Sequence, residues 1–164
     1  MTHNDIQLRA YHPDDAEAIA QLFTETIHSI NARDYTPEQL TAWAPQPYDP
    51  ARWRERLAST RPLIAQRGAQ IVGFGELAED GHIDCFYVHK DHQGSGVGRA
   101  LLSEIMRRAQ AAGLARLYTE ASLTAVPFFQ RHGFRTLAKQ QVALRGQLLA
   151  NVRMERDLTG GNPP

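Results

Sequence analysis

The sequence predicts an α/β (α+β) fold built on a central, mixed but mostly antiparallel sheet of about seven strands. Three observations carry this. Apolar or alternating runs set apart by tight-turn residues recur in the middle and at the end of the chain. Helix-start signals recur between the first such run and the second. A glycine-rich turn at Gln93 to Gly98 joins an apolar run, Ile83 to Val88, to an amphipathic helix, Ala100 to Ala112. A helical crossover of that length implies one parallel strand pair.

Taken in order, Ile6 to Tyr11 alternates and reads as the first strand. His12-Pro13-Asp14-Asp15 starts a helix; Asp14 with Glu17 resembles a capping box, and Asp15 is the alternative cap. Ile19, Leu22, Phe23, Ile27 and Ile30 form its apolar face. Thr36, Pro37 and Gln39 start a short helix running to Trp43 or Ala44, where Pro45 and Pro47 interrupt it. Asp49-Pro50 starts a third helix through Leu57. Pro62 to Arg67 and Ile71 to Ala78 flank a turn at Gly68-Ala69-Gln70. Asp80-Gly81 turns into a strand from His82 to Val88. The helix from Gly96 stops at Gly113, and Leu114 to Glu120 is the parallel strand. Thr124 to His132 is one short helix; with Thr124 as cap, Pro127 sits in the first turn, where no hydrogen bond is lost. Arg135 to Leu144 and Leu148 to Leu158 close the sheet as a hairpin. Residues 1–158 read as one domain and 159–164 as a flexible tail.

Lysine plus arginine balance aspartate plus glutamate, 18 against 18, so nothing argues for nucleic acid or a membrane surface as partner. No apolar run is long enough to span a bilayer. The N-terminus has no signal-peptide pattern, and Cys85 is the single cysteine, so the expected compartment is the cytoplasm. A homodimer is left open without support. No spacing of histidines, cysteines or acids resembles a metal site.

The glycine turn is the informative stretch. Such a turn at a helix start leaves backbone N–H groups unpaired and aimed together, a site for phosphate. Glycines there also serve tight turns alone. A Walker A loop needs Lys then Ser or Thr where Val97-Gly98-Arg99 stands. A dinucleotide fingerprint would need glycine where Arg99 or Leu101 stands.

Gln93-Gly94-Ser95-Gly96-Val97-Gly98 resembles the acyl-CoA motif Q/R-x-x-G-x-G/A of the GNAT (GCN5-related N-acetyltransferase) superfamily. The resemblance implies helices on both faces of the sheet and a splayed parallel pair around an acyl-CoA site. It implies that the loop Gln93 to Gly98, with Arg99, holds the pyrophosphate of acetyl-CoA, and that Phe86, Tyr87 and Val88 line the pantetheine arm. Ser122 to Phe134 resembles a second family motif, N-x-x-A-x-x-F-Y-x-x-x-G-F. Ala125, Phe128, Gly133 and Phe134 fit it. Ser122 replaces the usual asparagine, and Phe129 replaces a tyrosine that often protonates the departing thiolate. Arg131 and His132 are expected at the adenosine end. In this family the segment between the first two strands forms part of the acceptor site. Here His28, Tyr35 and Trp43 are candidates for it; Tyr35, Trp43, Tyr48 and Trp53 serve equally well as pocket lining or as packing. Asp34 to Leu40 followed by Trp43 also resembles a signature of the YafP-like subgroup.

The implied reaction moves an acetyl group to a primary amine of a small molecule or peptide by direct attack. An amine of pKa ~10 must first lose a proton, and the oxyanion needs a donor, in this family a backbone N–H near Val88. His82 and Asp84 share a strand face by period two; His82 is a candidate base, with Asp84 either orienting it or anchoring a cationic acceptor, against the plainer view of His82 as a solvated residue after a turn. Glu76 and Glu120, on exposed strand faces, are further candidates. Tyr118 is the candidate acid, with Tyr87 on the face away from His82. His89 and His92 flank the loop and read as solvated loop residues, with a minor role near the phosphate as the alternative. The absence of a hydroxyl at Phe129 motivates the alternative of a non-catalytic acyl-CoA sensor.

Overall fold

The computed structural model describes residues 5–159. Seven strands form one sheet in the order β1-β2-β3-β4-β5-β7-β6. They are β1 (Ile6–Ala10), β2 (Leu63–Arg67), β3 (Gln70–Leu77), β4 (His82–Val88), β5 (Arg116–Ser122), β6 (Arg135–Leu144) and β7 (Gln147–Asp157). All neighbours are antiparallel except β4 and β5. The helices are α1 (Ala16–Ser29), α2 (Pro37–Trp43), α3 (Pro50–Thr60), α4 (Val97–Ala111) and α5 (Val126–Arg131). Helices α4 and α5 cover one face, packing Leu101, Leu102, Ile105 and Phe129 on Ile83, Leu117, Val152 and Met154. Helices α1 and α3 cover the other over Ile64 and Phe74, and α2 lies against Leu149. The mixed, mostly antiparallel sheet with helices on both faces is the one expected.

Local details differ, each for a physical reason. The first cap is His12, whose Nδ1 accepts from the Asp14 N–H while Asp15 reaches back to the His12 N–H. Asp15 is also held by Arg9 at 2.8 and 2.9 Å, so the Asp14–Glu17 box does not form. The Thr36–Gln39 box does form. Asp49 caps α3, which continues past Leu57 to Thr60. Strand β5 starts two residues later than expected, because the N–H groups of Gly113 and Leu114 return to Gln110 and Ala109 and end α4 in a Schellman turn. Thr124 does not cap α5; its hydroxyl donates to Asp34. Of the expected tail, 159–164, Thr159 is held by Asp157 Oδ1, to which its N–H and hydroxyl both donate at 3.0 Å; the rest lies outside the described residues.

Two irregularities shape the sheet centre. In the β3–β4 ladder Gly75 faces Phe86 and Leu77 faces Ile83, so Asp84 and Cys85 together oppose Glu76. This is a bulge. Before it, Ile83 points to the α4 side; after it, Phe86 and Val88 do so, while Cys85 and Tyr87 pack with the α1–α3 side. Strict alternation placed Tyr87 on the face away from Asp84. The extra residue puts Tyr87 on the same face as His82 and Asp84. The second irregularity is that β4 and β5 pair only at His82–Tyr118 and Ile83–Thr119. Beyond Ile83 the two strands diverge.

Candidate active site

The divergence opens a cavity of about 490 Å³ between β4, the glycine turn, α5 and the end of α1. Among the described residues, the N–H groups from Gln93 to Arg99 donate to no protein acceptor; the first satisfied one is Ala100, bonded to Gly96. Gly96 makes this bend possible with φ of 95°, a left-handed conformation at the start of α4. A methyl group at Gly98 would stand 2.9 Å from Phe128 Cε1, so only hydrogen fits between α4 and α5 there. The His89 N–H donates to Val72, and with Gly73 opposite Val88 this turns the Val88 N–H away from β3 and toward the gap. The Val88 carbonyl accepts from Thr26 Oγ1 at 3.2 Å and Gln93 Nε2 at 2.7 Å.

Of the residues expected at this cavity, Phe86, Tyr87, Val88, Gln93, Gly94, Gly96, Gly98, Arg99, Ser122, Phe128, Phe129 and Arg131 line it. Val97 does not: its side chain is fully buried in the core under β3. The Ser95 hydroxyl faces the opposite way, donating to His92 O and accepting from Arg67. Sequence reasoning missed Thr26, Asn31 and Arg33 at the end of α1 and just after it. For Thr26 and Asn31 the available signal was the gathering of polar residues Thr26, His28, Ser29 and Asn31 at the helix end. Arg33, Arg99 and Arg131 form no ion pair among the described residues, so three uncompensated cations and a run of free amides share one cleft.

The charged candidates divide into two groups. Glu76 is 3% exposed, not on an open strand face as expected. It accepts from Arg56 Nη2 at 2.6 Å, Thr60 Oγ1 at 2.8 Å and the Cys85 N–H at 3.3 Å. Asp84 accepts from the same Nη2 at 3.0 Å, and so does not orient His82. Glu76, Asp84 and Cys85 gather as a metal-ligand set would, but the Arg56 guanidinium supplies the positive charge between them. Burial opposes that charge, yet the Glu76 carboxylate, hydrogen-bonded to it, and then Asp84 raise the Arg56 pKa. Burial pushes the Cys85 thiol well up, so it stays protonated.

The second group sits where β4 and β5 still pair. His82 Nε2 lies 2.7 Å from Glu120 Oε1, and its ring stacks on Tyr118 at 4.8 Å. The Tyr118 hydroxyl donates to Asp80, which raises its pKa. Tyr118 is thus committed outside the cofactor cavity, and Tyr87 is the tyrosine that lines it. Burial pushes the Tyr87 phenol well above its ordinary value.

The sequence matches the family described as "Acetyltransferase (GNAT) domain" over residues 31–156. The chain belongs to the GNAT acetyltransferase family. It is similar to the "Uncharacterized N-acetyltransferase YafP" of Escherichia coli (strain K12), with 35% identity over 92% of this chain and 95% of that protein. Among solved structures it resembles "the GCN5-Related N-acetyltransferase: Aminotransferase, Class-II" from Rhodopseudomonas palustris, with 36% identity, a TM-score of 0.90 and coverage of 96% and 99% of the two chains. It shares the fold of yncA from Salmonella typhimurium, a putative acetyltransferase solved with acetyl-CoA, at TM-score 0.73 and 18% identity over 98% of each chain.

On the α1–α3 side this GNAT chain has another cavity, of about 620 Å³, between α1, the α2–α3 connection and α3. Phe23, Trp43, Tyr48 and Trp53 line it with Pro45 and Pro47, and Cys85 of the β4 bulge reaches it. Trp43 therefore lines a cavity. Tyr35 does not; it is buried, its hydroxyl donating to Ala150 O at 2.6 Å and accepting from the Leu123 N–H at 2.9 Å. His28 is also outside, 2.7 Å from the Ala44 carbonyl and tying α1 to the end of α2. Phe129 departs from the family tyrosine and is 3% exposed, its ring 5.0 Å from Phe134 and 5.7 Å from Phe86. Any proton donor must come from elsewhere.

Proposed function

We propose that this protein transfers the acetyl group of acetyl-CoA to a primary amine of a small molecule or peptide within a ternary complex. The observation that carries the reading is the run of free N–H groups from Gln93 to Arg99 beside the gap between β4 and β5. These amides and Arg99 hold the pyrophosphate; Arg33 and Arg131 add positive charge, and the walls of β4 and α5 take the pantetheine. When bound, acetyl-CoA supplies the thioester carbonyl that the amine attacks. The outward Val88 N–H is the donor for the developing oxyanion.

The aromatic and proline cavity takes the body of the acceptor, and Trp43, Tyr48 and Trp53 shield the amine from water. His82, oriented by Glu120, lines neither cavity and so takes the amine proton only through intervening water. Glu76 is unsuited to that role because its oxygens already accept from Arg56, Thr60 and Cys85. Tyr87, kept protonated by burial, donates a hydrogen bond at the cleft in place of Phe129, and the departing thiolate takes its proton from the ammonium product or water. The 35% identity with YafP along nearly the whole chain supports a narrower YafP-like grouping. The lone, reduced thiol of Cys85 suits a cytoplasmic setting.

The test combines thermal melting with a thiol-release screen across amines, polyamines, aminoglycosides, amino acids and peptides. The expected result is acetyl-CoA protection and amine-dependent release of free CoA. Protection without release over the whole panel favours an acyl-CoA sensor, the second reading, which the hydroxyl-free Phe129 motivates. Neither response would remove both readings.

A further inference from the structure

We propose that Arg67 of β2 is a positioning residue that aims the glycine-turn amides from behind, and that neutral His92 makes this hold dependent on pH. The proposal rests on the reading of that turn as a diphosphate site.

Arg67 Nη2 donates to the Ser95 carbonyl at 3.0 Å. Its Nη1 donates to Ser95 Oγ at 3.0 Å and to His92 Nδ1 at 2.9 Å. Ser95 Oγ in turn donates to the His92 carbonyl at 2.6 Å. In a trans peptide the C=O of one residue and the N–H of the next point in opposite directions. Holding the Ser95 carbonyl outward toward β2 therefore aims the Gly96 N–H inward, toward the cavity that Gly94, Gly96 and Gly98 line. Fixing the His92 carbonyl does the same for the Gln93 N–H. The hold matters because Gly94 and Gly96, with φ of 69° and 95°, leave the flanking peptides free to rotate. Arg67 itself lines no part of that cavity, so it acts only through the turn.

An arginine has donors and no acceptor, so the Arg67 contact requires a lone pair on His92 Nδ1. The ring proton then lies on Nε2, which faces Gln70 Oε1 at 3.3 Å. Protonating His92 would set a second N–H and a second positive charge against the guanidinium. The charged or titratable groups facing His92 are Arg67 from β2, His89 and Asp91 from the same connection, and Asp5 ahead of β1. Burial first, then the charges of His89 and Arg67, hold its pKa below the ordinary 6.5. The neutral ring, and with it the Arg67 hold, is present at neutral pH and is lost as pH falls through that lowered value.

The test measures CoA dissociation constants by calorimetry at pH 7.5 and at a pH below the His92 midpoint found by NMR titration, for wild type, Arg67→Gln and His92→Asn. Asparagine offers an acceptor close to Nδ1 that does not titrate. At pH 7.5, Arg67→Gln should bind CoA about tenfold more weakly, the scale of one charge-assisted hydrogen bond lost from the diphosphate, while His92→Asn stays near wild type. Wild type should lose several-fold more affinity on acidification than His92→Asn, a comparison that cancels the titration of CoA itself. Heteronuclear NMR of the free protein should show the His92 proton on Nε2. Equal affinities for all three proteins, equal pH dependence of wild type and His92→Asn, or a proton on Nδ1 would each overturn the proposal. If Arg67→Gln does not fold, the His92→Asn comparison and the NMR measurement still decide it. Failure of wild type to bind CoA would instead sink the cofactor reading, and this inference with it.

Discussion

At the scale of single residues, what distinguishes the candidate groups is whether their polar atoms are already engaged. Glu76 is a buried carboxylate whose oxygens take three donors, and Arg56 is the charge that makes its burial tolerable. Arg56→Ala should lower unfolding free energy by about 2–3 kcal/mol, less than for a fully buried pair because solvent reaches the guanidinium. Chemical denaturation measures this, and the loss should shrink in the Arg56→Ala, Glu76→Gln double variant. His82 and Glu120 are the opposite case, a pair at 2.7 Å with partly exposed side chains on the surface facing the α1–α3 layer. His82→Asn should reduce the rate of thiol release by roughly a hundredfold, the scale of general base catalysis. Its CoA affinity should be unchanged, since His82 is not among the residues lining the cofactor cavity. Sequence reasoning named His82, Asp84, Glu76 and Glu120 but not Arg56, and it paired His82 with the wrong carboxylate. Period-two counting joined His82 to Asp84 along one strand, whereas the contact runs across strands to Glu120.

At the scale of elements, the short helix α2 carries the connection that walls the aromatic cavity. Its start is doubly fastened: Thr36 and Gln39 cap each other, and Gln39 Nε2 also donates to Leu148 O of β7 at 2.8 Å. Thr36→Ala should cost about 1 kcal/mol. Hydrogen exchange should show the loss first in α2, with α4 less affected. The helix starts at Thr36-Pro37 and Asp49-Pro50 and the stop at Gly113 were legible because caps are local chemistry. The start of α5 was not, because Thr124 had a competing partner, Asp34, distant in sequence.

At the scale of the whole molecule, several native carboxylates are held below their ordinary pKa. Arg107 first, then Arg108, lowers Glu104 to about 2, Arg9 lowers Asp15, and Arg135 lowers Glu155. Depressed carboxylates stabilise the fold above the unfolded-state pKa, and that stability is lost as pH falls through the folded-state values. The melting temperature should therefore hold down to about pH 5 and fall steadily toward pH 2 with the protonation of Glu104. Glu104→Gln should flatten part of that slope in a series of melts.

The amino-acid order by itself determined the succession of strands and helices, the one parallel crossover and the glycine turn from Gln93 to Gly98 at the start of a helix. Each of these follows from periodicity, turn chemistry or backbone permissiveness, which act over a few neighbouring residues. Only the tertiary structure decided which way the side chains of β4 point after its bulge and that Val97 belongs to the core. It alone showed Arg33 at the cleft and Arg67 behind the turn. The reason is that these outcomes depend on an extra residue in one ladder and on partners separated by tens of positions. Local spacing carries no information about contacts formed only when the sheet closes.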